Sequence, residues 1–189
     1  MFNIINCEKV YMRKAVIGTF NRIQCVSLTM NEGSWIDRMN KVSFVNELNM
    51  DAKSKIGRQN CIIGYYVDDY EGKGNCNFAL GETSLLTHQH RIDCTSSIRI
   101  GNNVVVAGNG TQMWTHGFDY NRNMIVKPIT IDNNIYIGSR SIICQGVTIV
   151  SDVTIGAGTC VSKSIIESGF YVSNQLTKKS DNQRKSTIK

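Results

Sequence analysis

Between Ile131 and Ile166 the chain repeats every six residues without a slip, and Ile131, Ile137, Ile143, Ile149, Ile155 and Val161 are all aliphatic. A period of six fits neither the 3.6-residue turn of an α-helix nor the alternation of a meandering sheet. It fits a chain coiled into a three-sided prism. The fifth position of each hexapeptide (Ile135, Ser141, Val147, Val153, Thr159, Ile165) is small or β-branched and suits a narrow, flat-sided core. Between these positions lie Asn133-Asn134, Ser139-Arg140, Gln145-Gly146, Ser151-Asp152 and Ala157-Gly158, residue types that tolerate tight corners. Three hexapeptides make one coil, so Ile131 is expected to stack on Ile149, Ile137 on Ile155 and Ile143 on Val161, about 4.8 Å apart.

Upstream, the six-step continues with interruptions. Leu80, Leu86 and Ile92 form one coil with Ser84, His90 and Ser96 at the fifth positions; a two-residue shift then restarts the ladder at Ile100. Ile56 and Ile62 mark an earlier repeat. Over residues 107–127 the pattern lapses, which predicts a loop ejected from the solenoid, where functional groups collect on rigid scaffolds. Pro128 then returns the chain to an extended strand. Asp68 to Gly74 reads as a surface loop, and residues 1–55 as irregular coils capping the prism. The expected organisation is a single all-β domain over 1–173 followed by a basic polar tail over 174–189.

Composition agrees with a β-solenoid: 41% hydrophobic residues with one proline and sixteen glycines. The seven cysteines are odd in number and form no C-x-x-C pair, as expected of reduced packing residues in a cytoplasmic protein. No signal-like start is present, and no apolar run approaches the roughly 20 residues that span a bilayer. A net charge of +6 raises nucleic acid as a partner, but much of the excess lies in the tail and no aromatic platform accompanies it, so none is expected.

Three histidines separate the possible chemistries. His116, in Trp114-Thr115-His116-Gly117, lies in the expected loop, where the ladder has nothing to bury, and is the candidate general base. His90 falls at an inward fifth position, where a buried structural imidazole is as good a reading as a functional one. His88 falls at a corner and is placed to face a cleft. Asp93 is the candidate carboxylate to orient an imidazole, against the alternative of an exposed corner acid.

The stretch PITIDNNIYIGSRSIICQGVTIVSDVTIGAGTCVSKSI, from Pro128 to Ile165, resembles the C-terminal coils of hexapeptide-repeat sugar O-acetyltransferases of the galactoside and maltose group. THQHRIDCTSSIRIG with WTHG downstream is similar to the envelope-polysaccharide acetyltransferases of the same superfamily. The resemblance covers about residues 80 to 170 and implies a left-handed parallel β-helix, the handedness coming from the resemblance alone. It implies acetyl-CoA as acyl donor, a sugar or glycan hydroxyl as acceptor, no metal, and a homotrimer with a cofactor groove between neighbours. It also implies that His116 takes the proton of the acceptor hydroxyl and that a backbone N–H at Gly138-Ser139 meets the thioester oxygen. Ala157, Ser162 and Lys163 would line the coenzyme A groove, with Lys163 near its phosphates. Apart from the resemblance, the basic tail reads as a solvated ending, with contact of its first lysines, Lys178 among them, to a phosphorylated cofactor as the alternative. The group that orients the acceptor cannot be carried over from the resemblance; His88, His90 and Trp114 are candidate acceptor-binding residues of this sequence. The sequence departs from the galactoside pattern at Leu86-Thr87-His88-Gln89-His90 and at Ser173-Asn174-Gln175-Leu176, and it has no matching N-terminal helical cap.

Two readings compete with O-acetylation by a direct-attack mechanism. N-acetylation of an amino-sugar nucleotide uses the same base and donor. A γ-carbonic-anhydrase-like metalloenzyme would need His88, His90 and His116 as ligands, at a spacing that does not suit it. A non-catalytic scaffold is the remaining alternative.

Overall fold

The computed structural model describes residues 2–65 and 76–173. The stretch from Asp68 to Gly74 and Lys178 lie outside the described residues. Among those described there is no helix, and the strands wind through eight coils. Coil 1 holds β1 (Ile4–Met12) and β2 (Val16–Ile17), coil 2 β3 (Arg22–Met30) and β4 (Trp35–Ile36), and coil 3 β5 (Lys41–Met50) and β6 (Lys55–Ile56). Coil 4 holds β7 (Cys61–Ile63), β8 (Asn77–Leu80) and β9 (Leu85–His88); coil 5 holds β10 (Arg91–Asp93), β11 (Ile98–Ile100) and β12 (Val104–Asn109). In coil 6, β13 (Gln112–Trp114) is followed by a hairpin of β14 (His116–Phe118) and β15 (Met124–Val126), then β16 (Ile129–Ile131) and β17 (Ile135–Ile137). β18 (Ile142–Ile143), β19 (Thr148–Ile149) and β20 (Val153–Ile155) form coil 7, and β21 (Cys160–Val161) and β22 (Gly169–Tyr171) belong to coil 8.

Pairing between coils is parallel throughout and defines three faces. The first half of β5 pairs with β7 and its second half with β8, so the long early strands bend around one edge of the prism and serve two faces. β7, β10, β13, β18 and β21 continue the first face; β8, β11, β16 and β19 continue the second. The third runs β2-β4-β6-β9-β12-β17-β20-β22. We call the edge between the first and second faces A, that between the second and third B, and that between the third and first C. The result is the all-β parallel solenoid expected from the repeat, consistent with a left-handed β-helix.

The stacking follows the hexapeptides: Ile131 pairs with Ile149, Ile137 with Ile155 and Ile143 with Val161, all buried. The fifth positions Ile135, Ser141, Val147, Val153, Thr159 and Ile165 are also buried. Residues 1–55 differ from the irregular caps expected of them, since they form three regular coils with the longest strands of the molecule. The lapse over 107–127 is also narrower than expected. β12 runs to Asn109, and Met113 is fully buried, paired with Ile92 and Ile143, so only the β14–β15 hairpin leaves the prism.

The C edge carries a buried polar ladder. Asn21 Oδ1 accepts the Asn40 N–H at 2.9 Å, Asn40 Oδ1 the Asn60 N–H at 2.8 Å, and Asn60 Oδ1 the His90 N–H at 3.0 Å. His90 takes the next rung, its Nδ1 accepting the Thr111 N–H at 3.1 Å. The coils need polar side chains here because the tight corner leaves inward amides with no strand partner. All seven cysteines are free, and burial raises the thiol pKa of Cys25, Cys76 and Cys94, as suits packing residues. No helix of the described residues is long and apolar enough to cross a membrane.

Candidate active site

Edge A brings the ends of β7, β10 and β13 into one column, so Tyr65, Asp93 with Thr95, and His116 lie one above another. The Asp93 carboxylate is buried and receives four hydrogen bonds. Oδ1 accepts from the N–H of Thr95 at 3.0 Å and its hydroxyl at 2.6 Å. Oδ2 accepts from the His116 N–H at 3.2 Å and lies 2.5 Å from His116 Nδ1. Asp93 therefore orients an imidazole, and the exposed corner acid is not what the fold makes of it. Thr115, wholly buried, ties the column together: its hydroxyl donates to Asp93 O at 3.0 Å and accepts the Ser96 N–H at 2.9 Å.

A carboxylate facing Nδ1 fixes the tautomer with its proton on Nδ1 and leaves the Nε2 lone pair pointing away. The His116 side chain is 24% exposed, so the ring is partly open to solvent. Edge-on contacts hold the ring on two sides, with Tyr65 at 6.2 Å and Trp114 at 6.3 Å between centroids. Trp114 is itself held by its Nε1–H, donated to Gln112 Oε1 at 3.0 Å, and by the Arg91 guanidinium over its ring at 5.7 Å. From below, Gln145 packs against Gly117, where a Cβ would meet Nε2 of that glutamine at 2.7 Å. The arrangement is a fixed, half-open imidazole with a buried carboxylate behind it.

The other histidines lie elsewhere. His90 is inside the prism with both ring nitrogens engaged, Nδ1 by Thr111 and Nε2 by Thr87 Oγ1 at 2.9 Å, and burial lowers its pKa to about 4. An interior, doubly bonded imidazole touches no acceptor, so the structural reading of His90 is the one the fold supports. His88 is half-buried at the C edge, paired through Cα with Asn109. With His116 at the A edge and His90 within the core, the three imidazoles do not converge on one point, as a shared metal would require.

Gly138 and Ser139 lie at the C edge, one coil from the exposed Ala157. Gly138 is required by close approach: a Cβ would come within 2.5 Å of Ala157 N. Its own N–H donates to Ile155 O at 2.8 Å, so that amide is engaged between coils. Ser162 and Lys163 are exposed at the A edge of coil 8 and line an open cleft with Thr159, Tyr171 and Ser173. Among the described residues, no carboxylate forms an ion pair with Lys163. One chain thus joins Asp93, His116 and Trp114 at one edge and places His88, Gly138, Ser139 and Ala157 on another. Tyr65 and Thr95 lie beside His116 without any sequence signal, because only the coil register brings them there.

The β-solenoid of hexapeptides is similar in fold to solved acetyltransferases, and one stretch of the chain is similar in sequence to another. Over 74 residues the chain is 43% identical to the galactoside O-acetyltransferase of Escherichia coli, a match covering 36% of this chain and 36% of that protein. The match therefore spans about a third of that relative's length. Among solved structures, the polysialic acid O-acetyltransferase OatWY aligns over 100% of this chain and 98% of its own, with a TM-score of 0.63 and 13% identity. The polySia-specific acetyltransferase NeuO aligns over 86% of this chain and 73% of its own, with a TM-score of 0.58 and 18% identity. These two likenesses are likenesses of fold. No protein-family model matches the chain.

Proposed function

We propose that the chain is an acetyltransferase that moves an acetyl group from acetyl-CoA to a hydroxyl of a sugar or cell-envelope glycan, with His116 as general base. The observation that carries this reading is the Asp93–His116 pair, in which a buried carboxylate faces Nδ1 of a partly exposed imidazole on a rigid edge. A sugar hydroxyl is too weak an acid to attack a thioester unaided, and a positioned imidazole gains about 10²–10⁴-fold by accepting its proton. The hydroxyl proton passes to Nε2 as the oxygen bonds to the thioester carbonyl carbon. The tetrahedral oxyanion then collapses, breaks the C–S bond, and the departing coenzyme A thiolate recovers the proton from the imidazolium. Asp93 stabilises the transient imidazolium without taking the proton.

Because the Gly138 amide is engaged with Ile155, the amide of Ser139 is the donor we assign to the oxyanion at that corner. Ala157, on the same edge, and Ser162 with Lys163, which has no ion-pair partner among the described residues, suit the pantetheine arm and phosphates of coenzyme A. His116 and Ser139 stand on different edges of one prism, so the site is completed by a neighbouring copy that turns its C edge toward this A edge. A homotrimer satisfies this, and it also covers Phe118 and Tyr120, which the hairpin exposes at 66% and 100%. Met113 contributes nothing to such a contact, since it lies in the core.

His116→Ala tests the reading. Thiol release from acetyl-CoA in the presence of acceptor falls at least a hundredfold while coenzyme A binding by calorimetry persists; unchanged turnover removes His116 from the mechanism. Locating the new acetyl group by mass spectrometry on a panel of hydroxyl-only glycans and amino sugars separates O- from N-acetylation.

A further inference from the structure

The outer edge of β1 is bare: among the described residues its only strand partner is β3. At either end of β1, Ile4 and Arg13 direct their N–H groups toward the second coil, to Asn21 O and Met30 O. Backbone groups alternate sides along a strand, so on the first face Ile5 and Cys7, and on the second face Val10 and Met12, aim N–H and C=O outward from the end of the prism. The same four residues are the register partners of the buried Ile23, Cys25, Leu28 and Met30, so their side chains cap the core stack. Ile5, Val10 and Met12 are nonetheless 41%, 52% and 40% exposed. Glu8 and Lys9 stand between the two pairs, at edge A.

This pattern is symmetric about the point midway between Glu8 and Lys9. A two-fold axis through edge A and the middle of the third face lays β1 of a second copy antiparallel along the first. Ile5 then stands opposite Met12, Cys7 opposite Val10 and Glu8 opposite Lys9, each pairing occurring twice. Both members of each apolar pair aim their backbone groups at one another, and each acid meets a base. On the third face Val16 and Gly18 bond to Ser34 O and Ile36 O of the second coil, which leaves Ile17 aiming its backbone groups outward as well. A triangular section maps onto itself under this axis, so all three faces meet together.

We propose that two copies of the chain join end to end through their β1 edges about this two-fold axis, an isologous contact that continues the hydrogen-bond ladder and closes the core. The contact is separate from the lateral assembly of the proposed active site and does not depend on it. Counting chains by native mass spectrometry tests it, and the wild-type assembly holds an even number. Val10→Pro removes an outward N–H without touching a bond to the second coil, and halves that number at an unchanged circular dichroism spectrum. Glu8→Lys sets lysines against each other at both ends of the corner and raises the dissociation constant of the end contact at least tenfold at low salt. Glu8→Lys combined with Lys9→Glu restores it. A single chain or an odd number of chains in the wild type, an unaltered number in Val10→Pro, or equal weakening by the single and double reversals overturns the proposal.

Discussion

Oδ2 of Asp93 receives both the ring Nδ1 of His116, at 2.5 Å, and the backbone N–H of the same residue, at 3.2 Å. One buried oxygen thus fixes where the histidine sits and how its ring is turned.

Replacing that oxygen tests the relationship. In Asp93→Asn an amide facing Nδ1 donates its N–H and favours the tautomer protonated at Nε2, which cannot accept a proton. Turnover with acetyl-CoA and acceptor is expected to fall at least a hundredfold, with acceptor and donor KM within about threefold of wild type. Stopped-time thiol release measures both.

His90 occupies a rung that asparagine fills in the three preceding coils, which predicts the outcome of substitution. His90→Leu leaves the Thr111 N–H buried without an acceptor and lowers unfolding stability by about 1–3 kcal/mol. His90→Asn restores an acceptor and loses about 1 kcal/mol or less. Urea unfolding at pH 7.5 checks both.

The lowered pKa of His90, about 4 in the fold against an ordinary 6.5, carries a pH signature. Between those values the unfolded chain binds a proton that the folded chain refuses, so stability rises with pH there. Its contribution is fully present above about pH 6.5 and is lost as pH falls toward 4, amounting to roughly 3 kcal/mol across the window. Urea midpoints from pH 4 to 8 should slope more steeply in wild type than in His90→Asn over that range.

Close approach at the C edge makes Gly57 the glycine least able to change. A Cβ there would lie 1.8 Å from Thr87 O, a backbone atom that cannot yield without displacing β9. Gly57→Ala is expected to cost about 2–4 kcal/mol, read as a melting temperature lowered by roughly 5–15 °C.

The early coils show why part of the fold is hidden in the sequence. The step from coil 2 to coil 3 is 19 residues and from coil 3 to coil 4 is 20, as Ile23 pairs with Val42 and Val42 with Ile62, so no strict six-residue step exists there to be found. Their left-handed corner positions are filled by Phe20, Met39 and Lys53, with φ near +59°, rather than by turn-type residues. Asn21, Asn40 and Asn60 also interrupt the aliphatic pattern while lying inside the prism. Met113 was hidden for a related reason: one buried residue between Gln112 and Trp114 carries no period, and only its pairing with Ile92 and Ile143 shows that the ladder runs on.

The amino-acid sequence alone determines the solenoid from Ile131 onward, because burying an aliphatic side chain every sixth residue leaves a three-sided coil as the way to remove them all from water. It also singles out His116 as the candidate base on which the proposed function rests. The tertiary structure decides what that imidazole touches. Asp93, Thr95 and Tyr65 lie twenty or more positions away along the chain, and only the vertical register between coils, set by backbone hydrogen bonds, gathers them around one ring.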